Sequence, residues 1–432
     1  MAKNNIILET LGCKLNQAES ESLTRQFADM GYQVVHPWDG ADIYILNTCT
    51  VTHIADRKSR HLLRLARRRN PSALIIAIGC YAERAPQEVA QVAGVDMVLC
   101  NEEKPRLLEL LQGRSSISTS AAICPQMLRT RSLVKVQEGC SQFCSYCIVP
   151  LVRGAERSSP LDEAVAEVGA RVKMGYREIV LTGTQIGAYR QGLELLTQRI
   201  FNETGVERLR LSSLKPQDIT PGLLALWDDE RFCRHLHLPL QSGSDSVLRR
   251  MRRRYSVADY ERMVAMAREA IPEVAITTDI MVGFPGETDE EFEESYRFCQ
   301  RIGFANLHVF PYSERPGTLA ALMPEKVEGR VKRERSERML GLARVSAHRF
   351  HERFLGRTMM VLWEKEVEYG VWVGLTDNYI RVFTKSSEPL KNRLVEAELL
   401  DRHNISSPSL KERNYLNQVR LQVSPQHDKI RL

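Results

Sequence analysis

The chain has 432 residues, 43% of them hydrophobic, so it carries enough apolar material for two or three cores. Its formal net charge is only +6, which excludes neither an RNA nor a small-molecule partner. Its longest apolar runs, such as Ala73 to Ile78, are strand-sized and too short to span a membrane. The first residues lack a signal-peptide pattern, and ten cysteines without one point to metal or catalytic use rather than disulfides, in a soluble cytoplasmic protein.

In chain order, the first region alternates strand and helix. Strands are expected at Asn5–Leu11, Ile43–Asn47, Leu74–Gly79 and Met97–Leu99. Helices are expected at Ser20–Met30 and Asp56–Arg69. Such alternation predicts an α/β domain with an open parallel, flavodoxin-like sheet over residues 1–124. A polar stretch at Gly113–Thr119 reads as a linker.

A second alternating series follows over 125–356, with strands expected at Leu133–Gln137, Glu178–Thr182, Leu209–Ser212, His235–Leu238, Ala275–Val282 and Leu307–Phe310. Six such units predict a partial (β/α)6 barrel. Ser159, Pro160 and Asp162 read as a cap, first-turn proline and acid, and Thr288 to Glu291 as a capping box. Residues 357–423 then give short strands at Met359–Glu368, Val371–Leu375, Tyr379–Thr384 and Leu394–Leu400, a small all-β barrel of a nucleic-acid-binding kind. The stretch from His403 is polar and expected to be partly irregular, with 424–432 a tail.

The strongest chemical signal is Cys140, Cys144 and Cys147, spaced C-x3-C-x2-C. Three thiolates on one short loop can hold three irons of a [4Fe-4S] cube and leave the fourth open to a small molecule. A structural zinc site would want a fourth ligand nearby, and the next histidines are His235 and His237. A second trio is less obvious. Cys13, Cys49 and Cys80 each stand just past a predicted strand, where an open parallel sheet gathers its ligands on one edge. Taken singly each is a small buried hydrophobe; their shared placement favours a second cluster. Cys100, Cys124, Cys233 and Cys299 read as ordinary thiols.

These motifs, with the runs His237–Ser244 and Asp279–Thr288, give a chain that resembles the radical S-adenosylmethionine methylthiotransferases over nearly its whole length. The residues around Cys13 and Cys49, and the run Ala55–Arg60, resemble the MtaB subgroup, which acts at C2 of N6-threonylcarbamoyladenosine beside the tRNA anticodon. The resemblance implies two [4Fe-4S] clusters, S-adenosylmethionine cleaved reductively at the Cys140 loop, and a methylated sulfur delivered from the Cys13 set. It implies an electron donor such as flavodoxin or ferredoxin, the tRNA anticodon stem-loop as partner, and a C-terminal TRAM barrel that grips RNA. Ala155 and Ser159 stand where the family often has arginine.

Phe143 and Tyr146 flank the loop cysteines and are expected to shelter the cluster and the adenine, with simple packing as the alternative. Thr182, Ser212 and Gln241 lie at strand ends, where barrel sites gather, and are expected to contact S-adenosylmethionine. Arg57, Arg60, Arg64 and Arg68 recur at helical spacing and form a basic stripe suited to RNA phosphates. Arg249–Arg254 is a second basic run, and Lys332–Arg338 reads as a solvated helix face. The competing readings are methylthiolation of isopentenyladenosine in tRNA or of a ribosomal protein, and a non-enzymatic, metal-stapled RNA-binding protein.

Overall fold

The computed structural model describes residues 5–35, 40–112, 129–400 and 421–424; the expected linker at Gly113–Thr119, Cys124 and most of the expected tail lie outside them.

The first unit is a five-stranded sheet of β1 (Asn5–Thr10), β2 (Gln33–Val34), β3 (Ile43–Thr48), β4 (Leu74–Gly79) and β5 (Met97–Leu99). Every neighbouring pair is parallel and the order is β2-β1-β3-β4-β5. Strands β3 and β4 are buried almost throughout, which is why they read as unbroken apolar runs. The order reverses beside β1, so the carboxyl ends of β1 and β3 flank the switch point where such sheets bind ligands. Edge strand β2 has two residues and leaves no pattern in the sequence.

Helix α1 (Lys14–Asp29) begins six residues before the expected Ser20. Its first turns bury Asn16, Glu19, Ser20, Glu21 and Thr24, polar side chains that hide the apolar period. Helix α2 (His53–Arg69) is capped by Thr52, whose side chain accepts from Ala55 N.

In the second unit six parallel strands follow the expected order: β6 (Arg131–Lys135), β9 (Glu178–Thr182), β10 (Arg208–Leu211), β11 (His235–His237), β12 (Ala275–Val282) and β13 (Asn306–Pro311). They form two three-stranded sheets, joined between β10 and β11 only by bridges at Leu209–Phe232 and Ser213–His237. The expected strand Leu133–Gln137 is interrupted: β6 stops at Lys135, and β7 (Gln137–Glu138) pairs antiparallel with β8 (Arg157–Ser158). That ribbon brackets the Cys140 loop. Thr288 and Glu291 form the expected capping box. Ser159 does not cap: the helix Leu161–Lys173 starts after Pro160 with no side-chain cap, and Ser159 Oγ donates to Lys135 O.

The third unit is a closed barrel of β14 (Thr358–Glu368), β15 (Val371–Thr376), β16 (Arg381–Lys385), β17 (Leu394–Leu400) and β18 (Leu421–Ser424), in the order β14-β15-β16-β18-β17. The fifth strand, in the stretch expected to be partly irregular, closes the barrel between β16 and β17. The turn from Thr376 to Tyr379 plugs the amino-terminal mouth of the six-stranded unit. There the fully buried Arg210 donates to Asp377 O at 2.8 Å and Thr376 O at 3.2 Å while holding Glu178 at 2.7 Å. Arg234 binds the Asp377 carboxylate at 2.6 Å, and Arg131 binds Glu364 at 2.7 Å.

Candidate active site

Three loops at the carboxyl edge of the first sheet bring Cys13, Cys49 and Cys80 together. At Gly12, φ +103°, a Cβ would lie 2.8 Å from Cys49 Cβ and 2.9 Å from its Sγ, so the chain lies directly on Cys49. At Gly79, φ +97°, a Cβ would come within 2.4 Å of Asn47 Oδ1; this bend sets Cys80 at the start of α3 (Cys80–Arg84). Asn16 clamps the edge. Its Nδ2 donates to Leu11 O and Thr48 O, and its Oδ1 lies 4.0 Å from Cys13 Sγ and 3.9 Å from Cys80 Sγ. Cys13 is exposed, whereas Cys49 and Cys80 are buried. Burial pushes the Cys49 thiol up to about 12 and raises that of Cys80. Thiolates here need a positive partner, and Arg153 supplies one.

Arg153 is 4% exposed and donates from Nε to Cys80 Sγ at 3.2 Å. Its other nitrogens reach Asn16 Oδ1, both Glu19 oxygens and, at 2.6 Å, Glu138. Glu19 also holds Lys104 at 2.7 Å and Lys135 at 3.5 Å. Burial alone would raise the Glu19 carboxyl, but these cations hold it well below the usual carboxylate range. The network thus joins α1 to the second unit. Neither Glu19 nor Lys104 carries a motif; Arg153 sits in the arginine-bearing run after the loop.

The Cys140 loop hangs from the β7–β8 ribbon. Cys140 N donates to Gly154 O at 3.0 Å, and Ser145 N to Met251 O at 3.1 Å. Lys215 Nζ lies 3.8 Å from Cys140 Sγ, and Arg253 Nη1 lies 3.5 Å from Cys144 Sγ. Gln185 Oε1 is 3.5 Å from Cys140 Sγ. Burial pushes the Cys147 thiol up to about 12. Each trio therefore has thiols in close electrostatic contact and a cationic N–H donor on sulfur, which fits an anionic iron–sulfur centre. Phe143 stands exposed at the loop tip, and Tyr146 packs against the cluster of Val247, Met251, Met281 and Phe284.

Thr182 and Ser212 line a cavity of about 240 Å³, together with Cys13, Lys14 and Tyr379. Gln241 lies elsewhere, past the end of β11: it bridges Ile280 of β12 with φ +73°, and its buried Oε1 has no partner. The basic stripe is uneven. Arg57, Arg64 and Arg68 are exposed, but Arg60 bonds Tyr81 Oη at 2.6 Å and Glu88 at 2.9 Å. Two basic runs turn inward as well. Arg250 pairs with Glu291, and Arg253 meets Cys144. Arg335, expected on a solvated face, is buried between Glu287 and Asp289. The remaining described cysteines make no trio: Cys233 and Cys299 are buried separately and Cys100 is half-buried.

Residues 134–299 match the radical SAM superfamily, so the six-stranded unit with its three-cysteine loop is a radical S-adenosylmethionine domain. Residues 5–100 match the uncharacterized protein family UPF0004. The threonylcarbamoyladenosine tRNA methylthiotransferase MtaB of Bacillus subtilis is 37% identical over 91% of this chain and 93% of its own length. Its counterpart in Thermotoga maritima is 38% identical over 87% and 90%. The tRNA-2-methylthio-N(6)-dimethylallyladenosine synthase of Acetivibrio thermocellus is 34% identical over 83% and 80%. Among solved structures, the radical methyltransferase TsrM of Kitasatospora setae shares the fold, with TM-score 0.55 and 14% identity over 72% of this chain and 75% of its own. The chain belongs to the radical S-adenosylmethionine tRNA methylthiotransferase family, whose cofactors are iron–sulfur clusters and S-adenosylmethionine. Among the described residues no helix is long and apolar enough to cross a membrane.

Proposed function

We propose that this enzyme adds a methylthio group at C2 of N6-threonylcarbamoyladenosine in the tRNA anticodon loop, using two [4Fe-4S] centres held by Cys140, Cys144 and Cys147 and by Cys13, Cys49 and Cys80. The observation that carries the reading is the link between the trios. The five-residue helix Val149–Arg153 starts two residues after Cys147 and ends on the arginine that bonds Cys80. A helix of that length spans only about 7.5 Å. The substrate choice follows the relatives named for threonylcarbamoyladenosine, at 37–38% identity against 33–34% for those named for dimethylallyladenosine.

When bound, the clusters and S-adenosylmethionine supply the radical and the sulfur transfer. The chain's own residues do the rest. Lys215 and Arg253 hold positive charge against the sulfurs of Cys140 and Cys144, and Arg153 does so against Cys80. Arg315, after β13, donates to Asp56 at 2.8 Å and to Thr50 O at 3.2 Å, closing the second unit over the loop that carries Cys49. Arg57, Arg64 and Arg68 meet RNA phosphates beside this seam, and the C-terminal barrel adds a second RNA surface. Phe143 caps the exposed side of the loop, Gln241 offers its unpartnered oxygen to the S-adenosylmethionine side, and Thr182 and Ser212 line the inner wall. The work takes place in the cytoplasm, with a flavodoxin or ferredoxin as electron source. Mass spectrometry of tRNA nucleosides from a deletion strain tests this: the methylthio form of the threonylcarbamoyl nucleoside disappears while the isopentenyl-derived form persists. The opposite pattern overturns the substrate.

A further inference from the structure

The cavity beside Cys13 carries Lys14, three histidines and Tyr379, groups that the chemistry above does not use. It lies where the first unit, the six-stranded unit and the C-terminal barrel meet, and none of Cys140, Cys144 and Cys147 borders it. Its wall carries the ammonium of Lys14, the imidazoles of His235, His237 and His308, the phenol of Tyr379 and a row of hydroxyls, with no carboxylate. Among the described residues the Lys14 ammonium makes no hydrogen bond or ion pair. Glu178, a carboxylate in its electrostatic reach, is already taken by Arg210 at 2.7 Å and Arg208 at 3.1 Å. Two more polar atoms on this wall, Ser212 Oγ and His235 Nδ1, are buried without partners. Buried donors and acceptors are normally satisfied, so an unsatisfied set around an empty volume calls for a polar, acidic guest.

The wall is also held rigid. Asp279 binds His237 Nε2 at 3.2 Å and His308 Nδ1 at 3.4 Å, and Thr277 Oγ1 lies 2.9 Å from His237 Nδ1 and 3.1 Å from His235 Nε2. Tyr379 stacks on His235 with ring centres 4.3 Å apart. A guest would therefore meet prepositioned donors.

We propose that this cavity receives the acidic substituent on N6 of the target adenosine, and that Lys14 is the specificity-determining residue that pairs with its carboxylate. The inference rests on the threonylcarbamoyl substrate reading. On a purine, C2 and C6 flank N1. A base that presents C2 to the Cys13 trio thus carries its N6 substituent on C6, just beyond N1, and Lys14 is the residue next to Cys13. The cavity, about 240 Å³, has room for a small amino-acid tail. An uncharged isoprenoid tail would leave Lys14, Ser212 Oγ and His235 Nδ1 unpaired, which disfavours it without any clash.

The test uses the reconstituted holoenzyme and three anticodon stem-loops, bearing N6-threonylcarbamoyladenosine, its threoninamide analogue and isopentenyladenosine. The wild type prefers the acid over the amide by roughly ten- to a hundredfold in kcat/KM, mainly through KM, as expected for a charged hydrogen bond. K14M collapses that preference towards unity, and K14R restores part of it. The proposal is overturned if the wild type treats acid and amide alike, a comparison that needs no variant, or if K14M keeps the preference. It is also overturned if K14M raises the S-adenosylmethionine concentration needed for RNA-free cleavage, since the carboxylate bound is then that of the methionine. If the wild type modifies only the isopentenyl stem-loop, the substrate reading itself falls and the proposal with it.

Discussion

Arg153 Nε stands 3.2 Å from Cys80 Sγ, across 73 residues of chain and across the seam between two folding units. The same guanidinium is saturated by Glu19, Glu138 and Asn16, so one side chain fixes a cysteine of the first trio relative to the helix that leaves the second. R153M removes a buried charge from a network that Lys104 and Lys135 only partly balance. The expected loss is about 3 kcal/mol of stability, read from urea midpoints. Methylthio product falls further than RNA-free cleavage of S-adenosylmethionine, measured side by side. Equal falls in both would show that Arg153 serves the fold alone.

The two trios separate by iron content. After anaerobic reconstitution the wild type holds about eight irons per chain, two cubes of four. Replacing Cys13, Cys49 and Cys80 with alanine leaves about four irons and retains cleavage of S-adenosylmethionine without RNA product. Replacing Cys140, Cys144 and Cys147 leaves about four irons and abolishes cleavage. Eight irons in the first variant would remove Cys13, Cys49 and Cys80 from the ligand set.

Docking of the C-terminal barrel depends on a titratable pair. Burial pushes the Glu178 carboxyl up, but Arg210, Arg208 and Arg131 outweigh it and hold it at about 2, below the ordinary 4.5. A depressed folded pKa contributes stability that is complete above the unfolded value and is lost as pH falls from about 4.5 towards 2. Thermal scans at pH 7 and pH 3 should show a smaller acid-induced drop for E178Q than for the wild type. At pH 7 E178Q should be less stable by about 3–5 kcal/mol, because the buried guanidinium groups of Arg208 and Arg210 lose their anion.

RNA contact by α2 follows the exposed members of its stripe. Replacing Arg57, Arg64 and Arg68 together with glutamine lowers the salt slope of stem-loop binding by about 2, at roughly 0.7 per phosphate on single-stranded RNA. R60Q changes it far less, since Arg60 is engaged by Tyr81 and Glu88. An equal effect from R60Q would mean that this pairing opens when RNA binds.

Much of the architecture was legible because periodicity is local. Strands such as Leu74–Gly79, Glu178–Thr182, Ala275–Val282 and Leu394–Leu400 fall where the apolar runs end in turn residues. The misses share one cause, which is tertiary burial of polar groups. The start of α1 was hidden by Asn16, Glu19 and Ser20, which face the seam. Arg335 reads as a solvated face and Arg253 as part of a basic run, yet both lie inside, each against a partner far along the chain. Strand β18 has four residues and gains its place only by closing a barrel.

By itself the sequence determined the spacing of Cys140, Cys144 and Cys147 and the run of alternating elements, since both are properties of neighbouring residues. Only the tertiary structure decided that Cys13 and Cys80 share the Asn16 side chain, that Arg153 reaches Cys80, and that Lys14 lines a cavity floored by Tyr379. These are contacts between units far apart in the chain. They form because a buried charge must find a partner wherever the fold offers one, and no local pattern records which partner that will be.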